Sequence, residues 1–168
     1  MIIFNSPPEA PGMDHLLQQL LNPVNLFEKL GSFEAATQRA RRLGYRVYEF
    51  DCQAYRSEDD ILKAVAQAFG GQSAPSVSGT TDPEQYWRSF QAPPPPQYGA
   101  ENAALIAFRD FDSFYRRAPN CAQGLLNVLA MRHYWDLKAG YRLLVCIHVR
   151  EPAFRLELGP ALSLEVKV

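Results

Sequence analysis

The chain has 168 residues, 47% of them hydrophobic and 21% charged, with a formal net charge of −1. A domain of this length buries roughly 70% of its unfolded surface, so it needs neither a disulfide framework nor a structural metal to hold together. The balanced charge excludes a general binder of nucleic-acid phosphates or anionic membranes, and no apolar run reaches the ~20 residues that span a bilayer.

The elements follow in chain order. Residues 1–8 lack a basic start followed by a long apolar run, so no signal peptide is expected and a cytoplasmic setting is the default. Ile2, Ile3 and Phe4 predict a short strand, stopped by Pro7 and Pro8. Residues 13–21 predict a helix with Leu16, Leu17, Leu20 and Leu21 on one face, ended by Asn22 and Pro23. One further helical turn is expected over 25–30, closed by Gly31. Ser32 is the expected N-cap of the next helix. Phe33, Ala36, Ala40 and Leu43 recur there at helical spacing, Arg39, Arg41 and Arg42 complement the dipole of its last turns, and Gly44 stops it.

Residues 45–52 predict a strand with Tyr48, Phe50 and Cys52 on one face. Ser57 caps a second helix, whose first turn is acidic (Glu58, Asp59, Asp60) and whose buried stripe is Ile61, Leu62, Val65, Ala68 and Phe69. Residues 103–108 and 143–149 are short apolar runs that suit strands covered on both faces. Between them a helix is expected over 119–138, with Pro119 in its first turn, Leu125, Leu126, Leu129, Arg132 and His133 on the inner face, and Gly140 at its end. Strands alternating with helices predict a parallel sheet with right-handed crossovers. In the tail, Phe154, Leu156 and Leu158, then Leu162, Leu164, Val166 and Val168, alternate with polar residues, which predicts a hairpin or an edge extension.

The expected organisation is an N-terminal extension over 1–31, an α/β domain over 32–150 with a Pro-rich insert at 70–102, and a C-terminal β extension over 151–168. The fold class is α/β: a small three-stranded parallel sheet with flanking helices. Cys52, Cys121 and Cys146 are far apart and lack paired spacing, so they read as small buried hydrophobes. Nucleotide-loop, dinucleotide, hydrolase-elbow and zinc motifs are absent, so no cofactor and no metal is expected.

Three segments resemble the barstar-like family of bacterial ribonuclease inhibitors. LGYRVYEFDCQAYRSEDDILKAVAQAFG (43–70) looks like that family's first strand and helix, ALIAFRDFDSFYRRAP (104–119) like its second strand and the following turn, and LLNVLAMRHYWDLKAGYRLLVCIHV (125–149) like its long helix and last strand. The family's aromatic-Gly-x-Asn-x-Asp-Ala-Leu run is missing between the first helix and the second strand, so its binding residues do not transfer one by one. The resemblance implies an immunity protein, a monomer when free, that plugs the active site of a protein toxin such as a ribonuclease or another secreted effector. It implies no enzyme activity and no direct contact with nucleic acid. The alternative is a scaffold or regulatory domain of the same fold without a toxin.

In the slot of the missing run, Asp82-Pro83-Glu84-Gln85 starts a short expected helix. Asp82, Glu84, Tyr86, Trp87 and Arg88 are the expected partner-binding residues, since Tyr, Trp and Arg are the side chains enriched in interface hot spots. The same helix can instead turn Trp87 and Phe90 inward, with Asp82 serving only as its cap. The enzyme alternative rests on Asp51, Asp110, Asp112 and His148, which fall at or near the carboxyl ends of the three strands, where open α/β sheets gather ligands and a divalent metal could sit. His133, Tyr134 and Trp135 read as core. Pro93–Pro96 reads as a stiff spacer.

Overall fold

A computed structural model describes residues 23–68, 102–151 and the backbone of 165–166. Its elements are β1 (Val24–Phe27), α1 (Leu30–Arg42), β2 (Arg46–Asp51), α2 (Glu58–Ala68), β3 (Ala103–Arg109), α3 (Phe111–Arg117), α4 (Pro119–Lys138), β4 (Arg142–His148) and β5 (Glu165–Val166). The strands form one sheet in the order β2-β3-β4-β1-β5, and every pairing is parallel.

The α/β class and the parallel sheet agree with the sequence, but the strand count does not. The expected three strands are β2, β3 and β4; β1 and β5 extend the sheet beyond β4. The helical turn expected over 25–30 is not formed there: residues 24–27 are instead a strand in which every residue is buried. Pro23 favours extended geometry around it, but the decisive force is tertiary. Val24 to Phe27 pair with Val145 to His148, which satisfies the ladder, and the apolar layers on the two sides of the sheet bury the strand's faces. Helix α1 accordingly starts at Leu30, before Ser32, and Lys29 occupies the cap position without a side-chain bond. In the tail, Glu165 and Val166 pair in parallel with Asn25 and Leu26, which makes this part of the chain an edge extension. The expected strand at 2–4, helix at 13–21, Pro-rich insert and strand arm at 154–158 lie outside the described residues.

Two apolar layers sandwich the sheet. Phe33, Ala36 and Ala40 of α1 pack with Leu105, Ala107, Leu144 and Cys146 on one face. Ile61, Leu62 and Val65 of α2, and Leu125, Leu126 and Leu129 of α4, pack with Ile106, Phe108, Val145 and Ile147 on the other. The split follows from strand order. The connections β2-α2-β3 and β3-α3-α4-β4 step across the sheet in one direction, while β1-α1-β2 runs back the other way. If each crossover keeps the same hand, a reversal of direction requires a change of face.

Both long helices end as the sequence predicts. Gly44 and Gly140 adopt φ of 83° and 85°. Tyr45 N donates to Ala40 O and Gly44 N to Arg41 O, and Tyr141 N donates to Asp136 O and Gly140 N to Leu137 O. These crossed bonds are the glycine-terminated helix stop, which satisfies otherwise orphaned carbonyls. At the start of α2, Asp60 N donates to the Ser57 hydroxyl, as expected of a cap.

Candidate functional site

The polar chemistry among the described residues gathers at the carboxyl end of the sheet. Strands β3 and β1 flank β4 and send the chain to opposite faces, so the end of β4 lies where a crevice opens in sheets of this kind. An open cleft of about 590 Å³ sits at this end, lined by Gln53, Asp112, Ser113, Arg116, Arg117, Arg150 and Glu151. Beneath it runs a ladder of rings. Phe50 stacks on Phe108 at 5.3 Å, Phe108 meets Phe111 edge-on at 5.6 Å, and Phe111 meets Phe114 at 5.7 Å. These contacts fix the seven-residue α3 on the sheet and aim its polar side outward.

Asp110 joins β3 to α3 with φ 55° and ψ 45°, the left-handed region that Asp tolerates better than most residues. Its carboxylate is buried and meets two cationic or protic groups. Arg150 grips it in a bidentate fork, with Nε on Oδ1 and Nη2 on Oδ2, both at 2.9 Å. His148 Nδ1 lies 3.1 Å from Oδ1, nearer than the 3.4 Å to Asp110 N. Nδ1 thus accepts the Asp110 backbone N–H in one tautomer and can donate to the carboxylate in the other. Phe33 of α1 packs against the same imidazole at 5.8 Å.

Arg150 organises the rest. Its Nη2 donates to Gln53 Oε1 at 3.2 Å, and its backbone N–H donates to Asp112 Oδ2 at 3.3 Å. The Asp112 side chain is buried, and its Oδ1 has no hydrogen-bond partner among the described residues. A buried acceptor left so costs about 1–3 kcal/mol. Arg116 and Glu151 form an exposed two-point ion pair, and that hydrogen bond holds the Glu151 carboxyl below its ordinary range. Arg117 donates Nη1 to Tyr55 O and Nη2 to Cys52 O, both at 2.6 Å, which fastens the β2–α2 loop to α3.

Of the four enzyme candidates, Asp110, Asp112 and His148 come together here. Asp51 does not join them; its Oδ1 accepts Gln53 N at 3.0 Å and closes a local turn. Among the described residues no group of three or more His, Cys, Asp or Glu side chains is placed to hold a metal ion. Arg150 occupies both oxygens of Asp110, where a cation would have to bind. The cysteines are free and buried, as expected. Burial pushes the Cys121 and Cys146 thiols up to about 12, and burial with the nearby Asp51 charge raises that of Cys52 further, which leaves little thiolate for nucleophilic work.

His133 is core, with Nδ1 donating to Leu143 O at 2.6 Å. Its neighbours correct the expectation. Tyr134 is 54% and Trp135 62% exposed, because the helical period that turns Leu129, Arg132, His133 and Asp136 inward turns these two outward with Met131. The expected partner-binding residues Asp82, Glu84, Tyr86, Trp87 and Arg88 lie outside the described residues. Gln53, Arg116, Arg117, Arg150 and Glu151 were not singled out from sequence; polar residues directly following the apolar runs at 103–108 and 143–149 were the available signal.

Among the described residues no helix is long and apolar enough to cross a membrane. Set against family models, curated proteins and solved structures, the chain matches none of them.

Proposed function

We propose that this chain is an inhibitor of the immunity-protein type, which binds a protein toxin such as a nuclease through residues 72–91. The observation that carries the reading is the unit β2-α2-β3-α4-β4, three adjacent parallel strands linked through helices on one face. That is the arrangement implied by the resemblance of residues 43–70, 104–119 and 125–149. The excursion between α2 and β3 leaves at Ala68 and returns at Asn102. Helix α2 runs back along the sheet, so both attachment points belong to the amino end of the strands. The cleft of Asp112 and Arg150 belongs to the carboxyl end. The excursion carries Asp82, Glu84, Tyr86, Trp87 and Arg88, a mix of carboxylates and aromatic anchors suited to a basic, substrate-binding groove.

The test has two stages. The intact chain is used as bait, the captured protein is identified, and its enzymatic activity is measured with and without the chain. Inhibition at stoichiometric ratio supports the reading, and a stable complex buries on the order of 1,600 Å². Asp82→Ala and Trp87→Ala then each weaken binding by about thirtyfold or more if they are anchors, equivalent to ~2 kcal/mol. A captured enzyme that keeps full activity in the complex, or an affinity unchanged in both variants, rejects the proposal.

A further inference from the structure

The geometry points to the carboxyl-end cleft as a binding site for a small zwitterion of the α-amino-acid type, a carboxylate with an ammonium group close by. The charges at the cleft sort into pairs with two left over. Arg150 is neutralised by Asp110, and Arg116 by Glu151. Arg117 is fixed through both Nη atoms to backbone carbonyls, and no carboxylate among the described residues is shown to pair with it. Asp112 is fixed through Oδ2 to a backbone N–H and, among the described residues, has no cationic side chain paired with it and no hydrogen-bond partner for Oδ1, although the residue is 5% exposed. Among the described residues, one cation and one anion thus line the same cleft without an opposite charge.

Both stand on α3, five residues apart, about 7.5 Å along its axis and roughly 140° around it, and both line the cleft. A ligand carboxylate would take the outer edge of Arg117, and its ammonium would donate to Asp112. A plain anion satisfies only the first group and a plain amine only the second. Ser113 and Gln53 add a hydroxyl and an amide for the remainder of the ligand, and the cleft volume of about 590 Å³ lies within the range of small-molecule sites.

The chain, unaltered and full-length, is titrated by calorimetry and by amide chemical-shift mapping with glycine, L-serine and L-glutamate. The same titrations use their N-acetyl derivatives, which lack the ammonium, and their methyl esters, which lack the α-carboxylate. Expected is saturable binding of at least one free amino acid, with shifts centred on Gln53, Ser113 and Arg150, and a loss of about tenfold or more with either derivative, the scale of one charged hydrogen bond. Asp112→Asn weakens the free amino acid and its methyl ester, which both carry the ammonium, and leaves the N-acetyl form unaffected. If the N-acetyl form binds as tightly as the parent, the cleft is a simple anion site and the proposal is wrong. It is equally wrong if no free amino acid saturates at millimolar concentration, a result in which water alone satisfies Asp112. Because the derivatives are compared on the unaltered chain, a variant that fails to fold does not rescue the idea. The cleft and the attachment points of residues 69–101 belong to opposite ends of the sheet, so failure here leaves the inhibitor reading standing.

Discussion

Replacing Asp110 by asparagine removes one charge from the hub of the carboxyl-end network and leaves its shape. The carboxylate is 5% exposed, while its bidentate partner Arg150 is 58% exposed. Hydrogen bonds to charged groups contribute about 1.5–3 kcal/mol each, but Arg150 can return to water when released, so the loss falls toward the lower end, about 2 kcal/mol. Asparagine tolerates φ 55° nearly as well as aspartate does. Alanine does not, and Asp110→Ala adds the left-handed penalty of about 1 kcal/mol, for a total near 3 kcal/mol. Urea denaturation followed by far-UV circular dichroism measures both, with an unchanged m value as the check that the same transition is compared. Arg150→Met in the Asp110→Asn background should then cost little more, because the two residues act as one unit. If asparagine lowers stability by less than about 0.5 kcal/mol, or if asparagine and alanine cost the same, the account of a charge hub on a strained hinge is wrong.

Other outcomes follow from single positions. Gly140→Ala should lose about 1 kcal/mol by thermal unfolding through φ 85° alone, since nothing lies within 4 Å of the added Cβ, and Gly140→Asn should lose less. Trp135→Ala should stay within about 0.5 kcal/mol of the parent, whereas His133→Ala, which deletes a buried donor to Leu143 O, should cost about 2 kcal/mol. The buried thiols make stability fall in alkali. The native Cys146 pKa lies near 12, above its ordinary 9.0, so its contribution is complete below pH 9 and is lost as pH rises toward 12. Denaturation midpoints between pH 8 and pH 10 should therefore drop, and Cys146→Ala should flatten the slope by up to about 1.4 kcal/mol per pH unit.

What could be read from sequence was what local chemistry decides. The Ser57 cap, the glycine stops at Gly44 and Gly140, the inward stripe of α4 and the doubly buried runs of β3 and β4 each depend on residues within a turn or two. β1 does not. Val24-Asn25-Leu26-Phe27 is too short for periodicity to classify, and its strand state depends on β4, far along the chain. Helix α3 was missed for a related reason. Seven residues show one i,i+3 pair, Phe111 and Phe114, and what holds the helix is their stacking onto Phe108. The buried part of the carboxyl-end network was visible as Asp110, Asp112 and His148 at or near the ends of apolar runs. Arg150 was not, because its role comes from the left-handed turn at Asp110 that brings the carboxylate under it.

The position of β1 carries a consequence for how the chain reaches its native state. Asn25 bonds Val145, 120 residues later, and β1's other neighbour comes later still. On the ribosome this strand emerges before both of its partners, so its edges stay unpaired until residues 145–148 and 165–166 have been made. The half-sheet β2-β3-β4 can zip from neighbouring segments, and β1 inserts as the closing step. Topologies with such distant pairings fold slowly and expose sticky edges meanwhile. Slow refolding should therefore be relieved by a circular permutant that begins at residue 29 and carries residues 1–28 after residue 168, which brings β1 closer to β4 along the chain.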